Sequence, residues 1–218
     1  CIDKEYRKLN LVQSIITHMA KNGFVDYFKI FIFKKELFPL PFQFISKYNY
    51  YLIKTKNINN NYDNLFKIDN KKITENKIIE FYNFYNKNIK KYRLYNKLHY
   101  SEFKHYLNSE SINFYYNKKG NIQILVGIYD SKVNYNNTKT SDFLFIIINN
   151  QNKYNDTINE IISKESHKYD HSLINDMAEA KNYIQLNKLE KISQCFLHFY
   201  NYHTDKKITP ENLSLNIP

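Results

Sequence analysis

Between Cys1 and Pro41 the apolar residues change period once, from helical to extended. Leu11, Val12, Ile15, Ile16 and Met19 recur at helical spacing and leave Gln13, Thr17 and His18 on the other face. That pattern predicts an amphipathic helix over about Asn10–Lys21, with Gly23 after its last turn as a C-cap. Val25–Phe38 is then rich in strand formers, and Pro39 and Pro41 stop the run.

Downstream, Phe42–Ile53 is aromatic and strand-like, and Lys54–Asn64 is an Asn-rich polar linker. Leu65–Ile68 is a short extended entry. Thr74 caps a helix carrying Glu75 in its first turn, and Ile78, Tyr82, Tyr85 and Ile89 keep helical spacing through it. A short helix near Ser101–Leu107, capped by Ser101, precedes a hairpin. Its arms are Ile112–Tyr116 and Ile122–Tyr129, and its turn is Asn117-Lys118-Lys119-Gly120. Asp142–Asn149 has strand length, and Asp156–Lys164 puts Ile158, Ile161 and Ile162 on one helix face. A helix over about Lys181–Ile192 and an alternating strand over Cys195–His203 follow.

Composition narrows the classes. The 218 residues suit one large or two small domains, and 43% hydrophobic with 17% aromatic content can build a core. The net charge of +11 would fit a nucleic-acid or anionic surface. However, Lys, Asn, Ile and Tyr are abundant throughout, with 3 Gly, 4 Pro and no Trp, which reads as a compositional bias that spreads Lys evenly. No aromatic ribonucleoprotein motif accompanies the charge. Cys1 and Cys195 give neither a disulfide framework nor a metal spacing, so a reducing cytosol is expected. No apolar run reaches the roughly 18 residues of a membrane span, and no signal peptide is recognisable. His167 and His171 lie four apart with no third ligand nearby, and the pairs Asp3/Glu5 and Asp170/Asp176 read as solvated carboxylates.

Chemistry concentrates at Arg7-Lys8-Leu9-Asn10-Leu11-Val12, between a strand end and a helix N-terminus. Free backbone N–H groups, the positive end of the helix dipole and two cations there suit a phosphate or pyrophosphate. The same residues also read as a solvated basic turn that opens a surface helix.

The wider stretch carries a resemblance. Its turn has the register of the loop by which GNAT-type acyltransferases hold the CoA pyrophosphate. CIDKEYRKLNLVQSII also resembles, without a gap, the CoA-binding strand–turn–helix of the glycylpeptide N-myristoyltransferases: Cys1, Lys4, Arg7 and Ile16 match, and Ile2 and Leu11 match in kind. Phe38-Pro39-Leu40-Pro41 falls on that family's Leu-Pro-x-Pro, and Gly127-Ile128-Tyr129 on its Ser-Phe-Tyr. Ile174-Asn175-Asp176-Met177 and the tail Glu211–Pro218 follow its order to the end.

The resemblance implies an α/β, GNAT-like fold in two pieces. Residues 1–58 would end an N-terminal acyl-CoA-binding unit, and residues 59–218 would form a C-terminal peptide-binding unit. It implies a fragment lacking the N-terminal half, including the oxyanion donors just before Cys1. Myristoyl-CoA would be the acyl donor, with no separate cofactor, and the acceptors would be proteins with an N-terminal glycine. Contacts to the donor would come from Cys1, Ile2, Arg7, Lys8, Asn10, Leu11 and Val12, and contacts to the peptide from Tyr48, Tyr129 and Ile217. The α-carboxylate of Pro218 would be the base. A cytoplasmic monomer without nucleic-acid partners is expected. The chain also departs from the family. Leu9 and Asn10 replace two cations, Lys47-Tyr48-Asn49-Tyr50 lacks the groove His, and Leu189–Gln194 stands where the family has a Gly-x-Gly-Asp-Gly loop. These departures keep a non-catalytic, GNAT-derived binding module open as the rival, with a nucleic-acid binder third.

Overall fold

The computed structural model describes residues 14–15, 17–18, 21–22, 27–30, 42–58, 63–117, 119–135, 138–200 and 207–215. In chain order its elements are β1 (Tyr27–Ile30), β2 (Phe42–Lys54), β3 (Leu65–Lys67), α1 (Glu75–Ile89), β4 (Leu94–Tyr95), α2 (Tyr100–Asn108), β5 (Ile112–Asn117), β6 (Ile124–Tyr135), β7 (Thr138–Ile148), α3 (Tyr154–Glu165), β8 (His171–Asn175), α4 (Ala180–Leu186), β9 (Glu190–Tyr200) and β10 (Leu213–Ser214). They fall into two compact units. One is Cys1–Asn49 with Ser193–Pro210, the other Tyr50–Ile192 with Glu211–Pro218.

In the first unit β9 runs antiparallel to β1, from Tyr27 against Phe199 to Ile30 against Phe196. Ile45, Tyr48, Cys195 and Leu197 are buried, and Phe44 lies against Phe196 and His198. Before β1, Ser14, Ile15, Thr17, His18 and Lys21 are helical, and the His18 carbonyl accepts the Asn22 N–H at 3.1 Å. These residues, the described part of the expected Asn10–Lys21 helix, are helical as the periodicity predicts. Ile15, expected on the buried face, is 53% exposed. The expected Gly23 cap and the Pro39 and Pro41 stops lie outside the described residues.

In the second unit the sheet order is β2-β8-β7-β6-β5-β3, and only the β7–β8 pair is parallel. Alternation along the strands supplies two cores. Val126, Ile128, Phe143 and Ile174 pack with Ile158, Ile161 and Ile162 of α3 and with Tyr183 of α4. Phe114, Leu125, Phe145 and Ile147 pack with Phe81 and Tyr85 of α1 and with Phe103 and Leu107 of α2. A bulge breaks the alternation. Gly127 opposes Phe145 and Ile128 opposes Phe143, so Leu144 is an extra residue on β7. Gly127 suits this point, because a Cβ there would sit 3.3 Å from Phe145 Cε1 and 3.4 Å from Phe114 Cε1.

Two buried carboxylates tie the thin edge strand β3 and its neighbour to α3. Glu160 Oε1 accepts the N–H groups of Asn64 (2.9 Å) and Leu65 (2.8 Å). Glu165 Oε1 accepts from Lys67 Nζ and Asn113 Nδ2, both at 3.1 Å, and from the Tyr115 hydroxyl. Burial, reinforced by that carboxylate, pushes the Tyr115 phenol up.

Several predicted boundaries move for local reasons. Helix α1 keeps its Thr74 cap, with Thr74 Oγ1 accepting the Lys77 N–H, but its buried stripe is Ile78, Phe81, Tyr85 and Ile89. Tyr82 lies beside that stripe, half-buried, and donates its hydroxyl to the Leu98 carbonyl. Helix α2 begins at Tyr100 and is capped from His99, not Ser101; the His99 N–H donates to Glu102 Oε2 at 2.7 Å, which draws Ser101 into the first turn. The expected Lys181–Ile192 helix ends at Leu186. Lys188 turns left-handed (φ 48°), the Leu189 N–H reaches the Ile184 carbonyl and the Lys188 N–H reaches Gln185, a Schellman closure without glycine. The linker opens with a 3-10 turn, Thr55–Asn57, in which the Thr55 hydroxyl sits 2.6 Å from the Tyr169 carbonyl.

Candidate active site

The site in the second unit begins where its parallel ladder ends. Pairing of β7 with β8 covers Thr140–Asp142 against His171–Leu173 and no further. The bulge at Leu144 follows at once, and a bulge bends its strand and raises its twist. The two strands therefore part, and Phe143–Ile146 on one side faces Ile174 and Asn175 on the other across a cleft closed by Tyr154 and Met177.

Into this cleft comes the chain's own C-terminal segment. Leu213 and Ser214 pair in parallel with Leu94 and Tyr95. The Leu213 carbonyl accepts the Ala178 N–H at 3.0 Å, and the Ser214 carbonyl accepts the Asn96 N–H at 3.1 Å. Leu213 is 0% exposed, and Ser214 and Leu215 line the cleft. What remains is about 30 Å³, the space of a single water. Ala178 can offer its N–H because it adopts φ 54° at the end of a turn braced by the Met177 N–H on Asn175 Oδ1 (3.2 Å).

Beside the cleft, and sharing Tyr154 and Ala178 with it, lies a wider polar depression of about 730 Å³. Lys91 pairs there with Glu179, and Lys181 with Glu211 of the tail at 2.6 Å. Burial and the Glu179 carboxylate push the Tyr92 phenol up. Among the described residues no three His, Cys, Asp or Glu side chains gather as a metal-ligand set, and no helix is long and apolar enough to cross a membrane.

Of the residues singled out in the sequence, Tyr48 is fully buried on β2 in the first unit. Tyr129 is half-buried on β6, opposite Ile112 and Asp142, and packs against the α1–α2 core. Cys1, Ile2, Arg7, Lys8, Asn10, Leu11, Val12, Ile217 and Pro218 lie outside the described residues. Glu190–Gln194, in the place of the family's glycine loop, forms the start of β9. Sequence reasoning passed over Leu94–Asn96 and Ala178. A two-residue strand has no period, and both partners act through the main chain; the one available signal was the Ile174–Met177 match just before Ala178.

This architecture, a largely antiparallel sheet with helices on both faces and one parallel pair that splays, is the GNAT-like acyl-CoA N-acyltransferase fold. Solved structures share it. The chain is similar to the N-myristoyltransferase of Saccharomyces cerevisiae with bound myristoyl-CoA, at a TM-score of 0.74 and 13% identity. That match covers 96% of this chain and 62% of the yeast chain. A yeast N-myristoyltransferase structure with myristoyl-CoA and inhibitors gives 0.73 and 13%, over 97% of this chain and 62% of that one. A GCN5-related N-acetyltransferase from Anabaena variabilis gives 0.57 and 13%, over 90% and 52%. This chain thus spans about 62% of the length of the N-myristoyltransferases it resembles. No protein-family model matches the sequence, and no curated protein matches it.

Proposed function

We propose that this chain is the C-terminal portion of an N-myristoyltransferase, which moves a myristoyl group from myristoyl-CoA to the N-terminal glycine of acceptor proteins. The observation that carries the reading is the C-terminal segment, seated by Leu213 and two main-chain hydrogen bonds in the cleft between β7 and β8. It occurs in a chain that follows the fold of an enzyme solved with myristoyl-CoA over 96% of its length. In this reading residues 1–58 complete an acyl-CoA-binding unit, residues 59–218 bind the peptide, and the protein works in the cytoplasm as a monomer. Arg7, Lys8 and the backbone of Asn10–Val12 hold the CoA phosphates, with Cys1 and Ile2 along the donor. In this reading Tyr129 and Ile217 contact the acceptor peptide, whereas the Tyr48 side chain, fully buried in the first unit, has a packing role.

The chemistry asks for a base. A glycine ammonium has a pKa of about 8 and a free α-carboxylate about 3.5, so proton transfer in water is uphill by about 6 kcal/mol. Burying a carboxylate raises its pKa and narrows that gap, and in this reading the α-carboxylate of Pro218 takes that part. The freed amine attacks the thioester carbonyl, a C–N bond forms, the C–S bond breaks, and the thiolate leaves to be protonated as CoA. In this reading the side chain of residue 218 matters little, because the charge belongs to the main chain.

A second reading has its own observation. The stretch from Glu190 is strand, without the glycine loop of the family, which favours a binding module that retains acyl-CoA affinity without transfer. Calorimetry with myristoyl-CoA, followed by transfer of its radiolabelled acyl chain to a Gly-initiated peptide, separates the two in the full-length protein. The enzyme reading expects binding and transfer, and transfer is lost when the peptide amine is acetylated. Binding without transfer supports the module, and no binding overturns both.

A further inference from the structure

Among the described residues β3 is the last strand of its sheet, paired with β5 on one side only. The Ile68 N–H donates to the Phe114 carbonyl of β5 at 2.8 Å. By alternation Phe66 and Ile68 turn their main-chain groups toward β5, and Leu65 and Lys67 turn theirs outward. An outward row of this kind is a template for a further strand. Helix α3 occupies it instead. The Leu65 N–H donates to Glu160 Oε1 at 2.8 Å, and the Leu65 carbonyl accepts from Lys164 Nζ at 2.9 Å. Glu160 and Lys164 are one helical turn apart, 3.2 Å from each other. Two side chains of one helix thus hold both outward groups of Leu65.

The sequence along this edge is complementary to itself. An antiparallel copy laid against it, with the twofold axis at Leu65, sets Leu65 opposite Leu65, and those two residues can exchange both N–H···O bonds. The same register sets Asp63 opposite Lys67 on each side of the axis, and opposite charges that face each other across a strand pair are stabilising. In the single chain Asp63 is held by Lys164 at 2.9 Å, and Lys67 by Glu165 at 3.1 Å. The exposed Phe66 ring, 5.8 Å from that of Tyr116, adds apolar surface beside the edge. We propose that Glu160 and Lys164 are an edge guard. They withhold the outward groups of Leu65, and Lys164 withholds Asp63, from a second copy of this chain that would otherwise add through β3 as an isologous dimer. The guard is independent of acyl transfer, and neither of its residues lines the cleft between β7 and β8.

The test is sedimentation velocity on the full-length protein carrying Glu160→Met and Lys164→Met, which keep side-chain length and remove the acceptor and the ammonium. This variant dimerises at least about tenfold more tightly than the wild type, because a partner strand now supplies the bonds that the guard supplied. Adding Asp63→Lys places like charges opposite each other at both ends of the pairing and weakens the dimer about tenfold. Far-UV circular dichroism reports whether the double variant is folded. If it is not, Lys164→Met alone decides, since Glu160 keeps its N–H groups while the Leu65 carbonyl and Asp63 are released. A fluorescein-labelled peptide of residues 63–69, followed by anisotropy, then binds Lys164→Met at least about tenfold more tightly than the wild type. A folded double variant no more associated than the wild type overturns the guard, and so does a dimer indifferent to Asp63→Lys. Equal peptide binding by the wild type and Lys164→Met overturns it as well. Each of these results leaves the acyl-transfer reading to its own assay.

Discussion

Glu160 should be among the most stabilising polar side chains of the second unit. It is 2% exposed, yet one of its oxygens accepts two main-chain N–H groups, from Asn64 and Leu65, and lies 3.2 Å from Lys164 Nζ. Through it the three-residue edge strand β3 is fastened to α3. Glu160→Gln keeps the volume and an acceptor oxygen but removes the charge. Each bond to a charged acceptor then falls toward the neutral value, a loss of about 1 kcal/mol per bond and about 2 kcal/mol for the pair. The Lys164 contact adds little, because its ammonium also pairs with Asp63 at 2.9 Å near solvent. Glu160→Ala leaves both N–H groups buried without an acceptor and should cost about 3–5 kcal/mol. Urea titration at neutral pH, read by far-UV circular dichroism, gives both numbers, with the denaturant slope unchanged. Refutation would be a variant pair within about 0.5 kcal/mol of wild type, or Gln as damaging as Ala.

Left-handed Ala178 and Lys188 carry a Cβ where glycine costs less, so Ala178→Gly and Lys188→Gly should each raise stability by about 0.5–1 kcal/mol in the same titration. Gly127→Ala should cost about 1–3 kcal/mol, because its methyl would press on the rings of Phe145 and Phe114 and disturb the bulge; a neutral outcome would mean the rings move freely. The Lys56 ammonium, then the Lys139 N–H, holds the Asp170 carboxyl below the usual carboxylate range. The folded chain therefore binds this proton less readily than the unfolded chain. The stabilisation is present above about pH 4 and is lost as pH falls through the lower folded value. Lys56→Ala should make the acid limb of a stability–pH curve shallower, and an unchanged limb would remove Asp170 from acid unfolding.

Much of the second unit was legible because its signals are local and repeated. Ile158, Ile161 and Ile162 fixed the buried face of α3, Thr74 the start of α1, and Asn117–Gly120 the β5–β6 hairpin, where Gly120 takes φ 72°. Errors arose where one contact decided a boundary. Glu102 moved the α2 cap to His99, and Lys188 closed α4 after Leu186, although neither residue type announces such a stop. The order of helices and strands in the second unit, read beside the family resemblance, pointed to the fold that the solved structures share. The site was less legible. The Leu144 bulge and the end of the β7–β8 ladder depend on pairing between distant strands, and the tail's partners at Asn96 and Ala178 are main-chain groups. Sequence spacing carries no record of such contacts.

The most direct test of the central claim removes the last two residues. Full-length protein with and without Ile217 and Pro218 is given myristoyl-CoA and a Gly-initiated peptide, and acyl transfer is timed at saturating donor. If the terminal carboxylate is the base, the shortened protein binds myristoyl-CoA as before and turns over about 100-fold more slowly or worse. Equal turnover would contradict the account, reduce the tail to a structural strand, and leave the non-catalytic module as the better reading.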